Sequence, residues 1–292
     1  MDDLLKKSRG LKTRIIEINN YTIPLLNSPM ADTVSKIITK IINGVNKAKK
    51  DYKKEIKIPP KEVQFASEEF WDEIIEKAKT LGIGLIGFTP IDENFIFEND
   101  SISRIKFLYD NGIVLGMEMN YDAMETAPDT PAGIESLNIY AELGHTMNQL
   151  ADFIRSKGYS AIVCHPLGGP ILFPAMAVKA NMGEIGRQGL LISKKYGPRQ
   201  RLSMIATNAS PLPEHTPEDF KIHEYCKKCG ICIKKCPSKA IYEEPIINQD
   251  GTITHIDWKK CIEYFYKTTG CSICIQVCPF HKIGYKKIFK DR

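Results

Sequence analysis

Signals for membranes or export are missing from this 292-residue sequence. No apolar run approaches the roughly 20 residues that a membrane-spanning helix needs. Residues 1–10 are polar and charged, which argues against a secretory signal, and no Arg-Arg pair is present for twin-arginine export. We therefore expect a cytoplasmic protein that has no membrane partner.

Nucleotide-binding motifs are also missing. No G-x-G-x-x-G follows a predicted strand, so a dinucleotide cofactor is not indicated. No G-x-x-x-x-G-K-[ST] is present, so the sequence has no P-loop. Any redox chemistry must therefore depend on another kind of centre.

The chain divides into three predicted segments. Residues 1–64 form an N-terminal helical extension, in which apolar residues recur at helical spacing after Asp32, a possible N-cap. Residues 65–215 alternate between helices and strands, which predicts a three-layer α/β domain. Three prolines within 208–217 mark a linker, and residues 216–292 form the last domain.

Within the central domain the pattern places individual elements. Ser67 is the predicted N-cap of a helix, and a long helix is predicted over 132–157. The remaining predictions are a short helix near 174–181 and strands at 84–89, 113–119, 160–164, 190–193 and 202–207.

Eight of the nine cysteines follow the linker in an ordered pattern. The first motif is Cys226-x2-Cys229-x2-Cys232-x3-Cys236-Pro, the run typical of bacterial ferredoxins. The second motif spaces its ligands as Cys261-x9-Cys271-x2-Cys274-x3-Cys278-Pro. Disulfides are disfavoured in a cytosolic protein, and four cysteines in eleven residues crowd a tetrahedral zinc site. The pattern therefore predicts two [4Fe–4S] clusters.

The motif spacing also assigns each cysteine to a cluster. In two-cluster ferredoxins the fourth cysteine of a motif binds the other cluster. One predicted set is Cys226, Cys229, Cys232 and Cys278, and the other is Cys236, Cys261, Cys271 and Cys274. The ninth cysteine, Cys164, lies in an apolar strand and is interpreted as a core residue.

The formal net charge of +5 counts all cysteines as neutral. Each four-thiolate cluster adds about two negative charges in its oxidised state, so two clusters offset most of this excess. The charge is therefore weak support for a nucleic-acid partner.

A stretch upstream of the cysteines resembles the corrinoid-dependent reductive dehalogenases. Residues 180–212, ANMGEIGRQGLLISKKYGPRQRLSMIATNASPL, are similar to that family's AGxGExxRxG, Gly-Pro-x-x-Arg and strand pattern. Residues 150–161 and the segment from His255 to Lys282 also resemble it. Epoxyqueuosine reductases share the architecture but typically have Gly-Trp-Ile-Gly-Lys-Asn where this chain has Gly183-Glu184-Ile185-Gly186-Arg187-Gln188.

The resemblance implies a fold and a second cofactor. The fold is an α/β (α+β) cobalamin-binding domain of the nitroreductase-like type, followed by a bacterial ferredoxin-like 2[4Fe–4S] domain. The cobalamin that the resemblance implies is base-off, and the absence of Asp-x-His-x-x-Gly agrees with this; His165 is either a ligand or a structural histidine. The implied cofactor contacts are Gly168, Gly169, Pro170, Gly183, Gly186, Arg187, Ala206 and Thr207.

The resemblance also suggests how a proton reaches the substrate. Dehalogenases place a tyrosine donor on the helix comparable to 132–157, where Tyr140 shares a face with Gly144. Tyr140 is thus the candidate donor, with a core tyrosine as the alternative. Arg187 or Lys179 would lower its pKa or hold a leaving halide. Epoxyqueuosine reductases use an aspartate where this chain has Asn138.

Three functions remain open from the sequence. The leading one is a cobalamin-dependent reductase of a small, possibly halogenated, organic substrate that receives electrons from a donor such as ferredoxin or flavodoxin. The family's Thr-Asp-Leu-Pro is replaced here by Thr207-Asn208-Ala209-Ser210-Pro211, and respiratory dehalogenases are longer and exported, so a non-respiratory enzyme is expected. The alternatives are an epoxyqueuosine reductase acting on tRNA and an electron-transfer protein that reactivates another enzyme's corrinoid.

Overall fold

The computed structural model describes residues 30–57, 61–97, 109–248, 253–268 and 270–289. Residues 1–29 of the predicted extension therefore lie outside the described residues. Within the described ranges, no helix is both long and apolar enough to cross a membrane.

Residues 31–210 form five α-helices and eight strands within the described ranges. The helices are α1 (Ala31–Glu55), α2 (Glu68–Thr80), α3 (Tyr121–Glu125), α4 (Thr130–Ser156) and α5 (Phe173–Lys179). The strands are β1 (Gln64–Phe65), β2 (Leu85–Pro90), β3 (Asn111–Glu118), β4 (Ala161–Cys164), β5 (Glu184–Ile185), β6 (Leu191–Ile192), β7 (Gln200–Thr207) and β8 (Ala209–Ser210).

The cysteine-rich part is built from shorter elements. Its helices are α6 (Ile222–Cys229), α7 (Ile231–Lys235), α8 (Trp258–Lys267), α9 (Ile273–Gln276), α10 (Pro279–Lys282) and α11 (Tyr285–Ile288). Its strands are β9 (Ile241–Ile247) and β10 (Ile253–Ile256), which pair as an antiparallel ribbon.

The two predicted helix starts have different outcomes. Ser67 caps α2, because its side chain accepts a hydrogen bond from the backbone N–H of Phe70. Asp32 is wrong as a cap. Helix α1 begins one residue earlier, at Ala31, with Met30 in the cap position, so Asp32 lies in the first turn.

Four strands form the central sheet in the order β2–β3–β7–β4. Every neighbouring pair is antiparallel, with Val114 opposite Met204 and Val163 opposite Ile205. The alternation of helices and strands was predicted, but the strands do not form the parallel sheet that βαβ units produce. The domain is a mixed α/β fold, and its nitroreductase-like type remains a prediction.

Helices cover both faces of the sheet, as the three-layer prediction requires. Alternate residues of β3 point to opposite faces, so Ile113 and Leu115 join the large core with α2 and α4. Val114 instead packs with Met204 and with Met176 of α5. Helices α4 and α5 are therefore separated by the sheet.

Helix α1 lies along α4 through an apolar stripe. Val34, Ile37 and Ile41 are buried against Ile134 and Leu137 of α4. The described part of the extension therefore packs on the central domain. The division at residue 64 remains an interpretation.

A buried arginine joins the cysteine-rich part to the central domain. Arg199 donates from Nε to the carbonyl of Met119 at 2.9 Å, from Nη1 to Nδ1 of His281 at 3.1 Å, and pairs with Glu118. Since arginine only donates, Nδ1 of His281 accepts, and Nε2 donates to Glu125 at 2.6 Å. The network links the residue before β7 to α10, the helix that directly follows Cys278.

We expect Arg199→Ala to lower the free energy of unfolding by about 3 kcal/mol. The substitution removes three hydrogen bonds and leaves the Met119 carbonyl and the His281 ring nitrogen buried without a donor. Anaerobic guanidinium denaturation measures the loss, with Lys79→Ala as the control. Lys79 makes only an exposed pair with Glu76, so its removal should change stability by less than about 1 kcal/mol. Equal effects of the two substitutions would contradict the role given to Arg199.

Candidate redox site

Four cysteines from both motifs surround one cavity, here called site A. Cys226, Cys229, Cys232 and Cys278 line this cavity together with Arg187 and Gln188. Cys278 thus lies with the first motif although it belongs to the second. This is the grouping that the crossed-ligand pattern predicts.

Backbone geometry brings the first three cysteines together. Helix α6 ends at Cys229, and Gly230 takes a left-handed conformation with φ of +60° before α7 begins at Ile231. A side chain would be strained at that φ, which is why glycine suits the position. The turn reverses the chain so that Cys226 and Cys232 face the same space.

The other four cysteines form a second group, here called site B: Cys236, Cys261, Cys271 and Cys274. Burial and the nearby charges of Cys271 and Cys236 raise the pKa of Cys261 to about 11. Burial would also raise the pKa of Cys236, but hydrogen bonds from Ser238 and from backbone N–H groups lower it overall. Burial raises the pKa of Cys274, and the charges of all three other site B cysteines and of Cys232 add to this effect, so the site B thiols lie near one another and near Cys232 of site A.

Among the described residues, no three Cys, His, Asp or Glu side chains are close enough to hold one metal ion. A cubane cluster places each thiolate on a different iron, so its four ligands stand farther apart than those of a single zinc ion.

Burial makes the free thiols of site A weak acids. It is the largest cause that raises the pKa of Cys226 to about 11 and that of Cys278 to about 12. Because iron binds the thiolate, loading the clusters must release protons.

The turn between β5 and β6 carries Arg187 and Gln188 to site A. The backbone N–H of Arg187 donates to the sulfur of Cys226, and its guanidinium reaches Glu244 of β9 at 3.5 Å. The thiol of Cys232 donates to Oε1 of Gln188 at 3.8 Å. Arg187 therefore lies at a cluster site, where its charged partner is Glu244, and its predicted assistance of Tyr140 stays a prediction.

Tyr140 contacts a different cation. The guanidinium of Arg201, on β7, lies 4.8 Å from the centre of the Tyr140 ring. Both side chains are half-buried, so they remain accessible. The Nε of Arg201 is buried and has no hydrogen-bond partner among the described residues. The structure therefore places a cation over the ring of the candidate proton donor, and the role of Tyr140 stays a prediction.

Lys179 lies away from this pair. It ends α5, forms a 2.7 Å ion pair with Asp92, and is largely exposed. The sheet separates α5 from α4, which carries Tyr140. The structure therefore does not bring Lys179 together with Tyr140, and its role towards the tyrosine or a leaving halide stays a prediction.

The structure explains several predicted cofactor contacts by the protein's own packing. A Cβ at Gly183 would lie 2.1 Å from the carbonyl oxygen of Ile192, and one at Gly169 would lie 2.3 Å from the ring of Phe173. Gly168 has φ of +90°, and Pro170 is buried and accepts a hydrogen bond from Phe97. The three glycines are therefore required by the protein's own backbone and packing whether or not a cofactor is close.

Ala206 and Thr207 are fully buried between β3 and β4. Their backbones pair with both neighbouring strands, and the Thr207 hydroxyl accepts from the backbone N–H of Ala209. They offer no open surface to a ligand in this conformation.

His165 is wedged between two helices. A Cβ at Gly144 would lie 2.1 Å from Nε2 of His165, and a Cβ at Gly44 would lie 3.0 Å from the same atom. Its Nδ1 accepts from the backbone N–H of Leu167, and burial lowers its pKa to about 4. The ring is enclosed by α1 and α4, which favours a structural histidine over a ligand. Cys164 is a buried core residue whose pKa is raised by burial.

Three residues of these sites were not predicted from the sequence: Arg201, Gln188 and Arg199. Arg201 is the arginine of the Gly-Pro-x-x-Arg pattern, and β7 carries it to Tyr140, so the pattern itself held the signal. Gln188 follows the motif arginine at a variable position, and its role depends on Cys232, 44 positions away along the chain.

The cysteine-rich residues match a known domain family. Residues 225–281 match a family model described as a 4Fe-4S double cluster binding domain. This match supports two [4Fe–4S] clusters in the cysteine-rich part of the chain.

Comparison with curated proteins confirms the resemblance to two kinds of reductase. The chain is 38% identical over 195 residues to the tetrachloroethene reductive dehalogenase of Sulfurospirillum multivorans, covering 63% of this chain but only 38% of that protein. It is 23% identical over 258 residues to the epoxyqueuosine reductase of Atelocyanobacterium thalassa, covering 72% of this chain and 79% of that protein.

A solved structure shows the same fold. It is that of a reductive dehalogenase, described as suggesting a mechanism for B12-dependent dehalogenation, and it matches with a TM-score of 0.65 at 22% identity. The match covers 71% of this chain and 31% of that one. At this identity the comparison supports the fold and leaves the activity to be proposed.

Proposed function

We propose that this chain is a corrinoid-dependent iron–sulfur reductase that passes electrons from two [4Fe–4S] clusters to a base-off cobalamin. Its substrate is a small organic molecule, with organohalides as the first class to test. The electron donor would be a small redox protein such as a ferredoxin or a flavodoxin. The similarity to dehalogenases and epoxyqueuosine reductases supports a reductase of this type.

One observation carries the proposal. The dehalogenase-like stretch 180–212 supplies both Arg187, which lines site A, and Arg201, which lies over Tyr140. A single segment thus connects the cluster site with the Tyr140 side chain. A cysteine-rich module serving only structural purposes would not need this connection.

The residues present fit a corrinoid between these two points. The Nε of Arg201 and the Nδ1 of His255 are buried polar atoms with no hydrogen-bond partner among the described residues. The amide-rich edge of a cobalamin offers partners to such atoms. His165 is enclosed by α1 and α4, in agreement with a cobalt that takes no histidine from that loop.

The chain's own residues would bind the substrate and move the proton. A bound cobalamin supplies a cobalt ion able to deliver electrons to a carbon–halogen or carbon–oxygen bond. Tyr140 would donate its hydroxyl proton to the carbon that loses the leaving group. The Arg201 guanidinium over the ring would stabilise the negative charge left on the phenolate oxygen.

Epoxyqueuosine reduction is the second candidate. The extent of the alignments favours it, because the alignment spans 79% of the epoxyqueuosine reductase of Atelocyanobacterium thalassa but only 38% of the dehalogenase of Sulfurospirillum multivorans. It is disfavoured by Asn138, since an amide cannot donate the proton that an aspartic acid would.

Two assays on matched samples separate the candidates. The loaded protein, reduced with titanium(III) citrate, is given tetrachloroethene and the released chloride is measured. In parallel, tRNA from a deletion strain is analysed for queuosine. Our proposal predicts chloride release and normal queuosine. Missing queuosine together with no chloride release would favour the tRNA function instead.

A further inference from the structure

Two buried hydrogen-bond donors at site A have no partner among the described residues: Nε of Arg187 and Nε2 of Gln188. Gln188 is 4% exposed and Arg187 is 8% exposed. A buried donor without a partner costs about 1–3 kcal/mol, so two of them side by side indicate a missing acceptor. Both residues line the cavity of site A together with its four cysteines.

The turn that carries Gln188 is shaped to hold its amide at the cavity. A Cβ at Gly186 would lie 2.5 Å from Oε1 of Gln188, so a side chain there would displace the Gln188 amide from this position. Gly189 closes the turn with a φ of +76°, and its N–H donates to the carbonyl of Gly186. Gly186 and Gly189 therefore form a turn that holds the Gln188 side chain at the cavity.

The contact between Gln188 and Cys232 must change when a cluster is present. In the free thiol form, Cys232 donates to Oε1 of Gln188. An iron-bound thiolate has no proton to donate, so this hydrogen bond is lost on loading. The amide NH2 group is then the part of Gln188 that can bind a sulfur atom.

Arg187 adds positive charge at the same place. Its backbone N–H donates to Cys226, and its charge acts on both Cys226 and Cys232. At site B, the polar neighbours of Cys236 are instead Ser238 and the backbone N–H groups of Ala240 and Ile241. The two sites therefore differ in the donors that the central domain supplies.

We propose that Gln188 donates a hydrogen bond to a sulfur atom of the site A cluster and, together with Arg187, selectively raises its reduction potential. Reduction adds one electron to the cluster, and hydrogen bonds to its sulfur atoms stabilise the added negative charge. The inference rests on the two clusters of the proposed function, but it requires neither a corrinoid nor turnover.

The test is an EPR-monitored redox titration of the cluster-loaded Gln188→Met protein. Methionine keeps the length of glutamine and removes both amide donors. At a fixed potential we expect the reduced-to-oxidised ratio of the site A cluster to fall about tenfold, equal to a shift of 59 mV for one electron. The site B potential should stay constant. Gln188→Glu, which adds a negative charge, should shift site A further in the same direction.

Gln149→Met is the matched control, because Gln149 is an exposed residue of α4 and should shift neither potential. An unchanged site A potential, or equal shifts at both sites, would overturn the inference. Loss of the site A cluster from both Gln188 variants would make Gln188 a structural residue and would also overturn it. Absence of both clusters from the unmodified protein would instead contradict the proposed function.

Discussion

Replacing Cys278 with alanine should remove the site A cluster and leave the site B cluster in place. Cys278 belongs to the second motif in sequence, but it lines the cavity formed by Cys226, Cys229 and Cys232. A [4Fe–4S] cluster needs four ligands, so losing one from a buried site destabilises that cluster. Iron content should fall from about eight to about four atoms per chain.

The measurement combines iron analysis with EPR of the reduced protein. Cys164→Ala is the matched control, since Cys164 is a buried residue of the sheet and lies outside both sites. The control should keep both clusters. Retention of the site A signal in Cys278→Ala, with loss of the site B signal, would show that the motifs are not crossed.

Tyr140→Phe should lower reductive turnover by about 100- to 10,000-fold, the range typical of a lost general acid. Phenylalanine keeps the ring beneath Arg201 and removes only the hydroxyl proton donor. Chloride release from tetrachloroethene under titanium(III) reduction is the assay. The cluster EPR signals should be unchanged, because Tyr140 is not a ligand of either site.

Tyr159→Phe is the control for this substitution. The Tyr159 hydroxyl donates to the carbonyl of Phe65 on the exposed side of the domain, away from Arg201. Its removal should leave turnover within about twofold, as is usual for a surface change. Similar losses in both variants would mean that Tyr140 acts through stability and is not the proton donor.

The cluster sites could be predicted from sequence because their geometry is encoded locally. Cys226, Cys229 and Cys232 lie within seven residues, so the covalent chain and one left-handed glycine bring them together. The crossed position of Cys278 followed from a recurrent ligand pattern. The Ser67 cap was predictable for the same reason, because the hydrogen bond spans three residues.

The direction of the strands could not be predicted in this way. Hydrophobic periodicity identifies a strand but does not say which strand lies beside it. Pairing of β3 with β7 joins segments about 90 residues apart, with Val114 opposite Met204. The antiparallel sheet therefore depends on long-range packing that the alternation of elements does not contain.

The same limit applies to the partner of Tyr140. Arg187, Lys179 and Arg201 are all cations in or beside the dehalogenase-like stretch, and the sequence offers no distance between any of them and α4. Lys179 ends α5, which packs on the face of the sheet opposite to α4. Arg201, on β7, lies over the Tyr140 ring. Arg187 lies at site A, where the glycine turn directs it.

The most direct test of the proposed function is anaerobic loading with iron, sulfide and cobalamin, followed by gel filtration, UV–visible spectroscopy and EPR. We predict about eight iron atoms per chain, two interacting [4Fe–4S] signals after reduction, and one retained corrinoid with a base-off cobalt signal. Tyr140→Phe should retain all of them. Two clusters without any retained corrinoid would contradict the central claim, because the module would then serve a different acceptor.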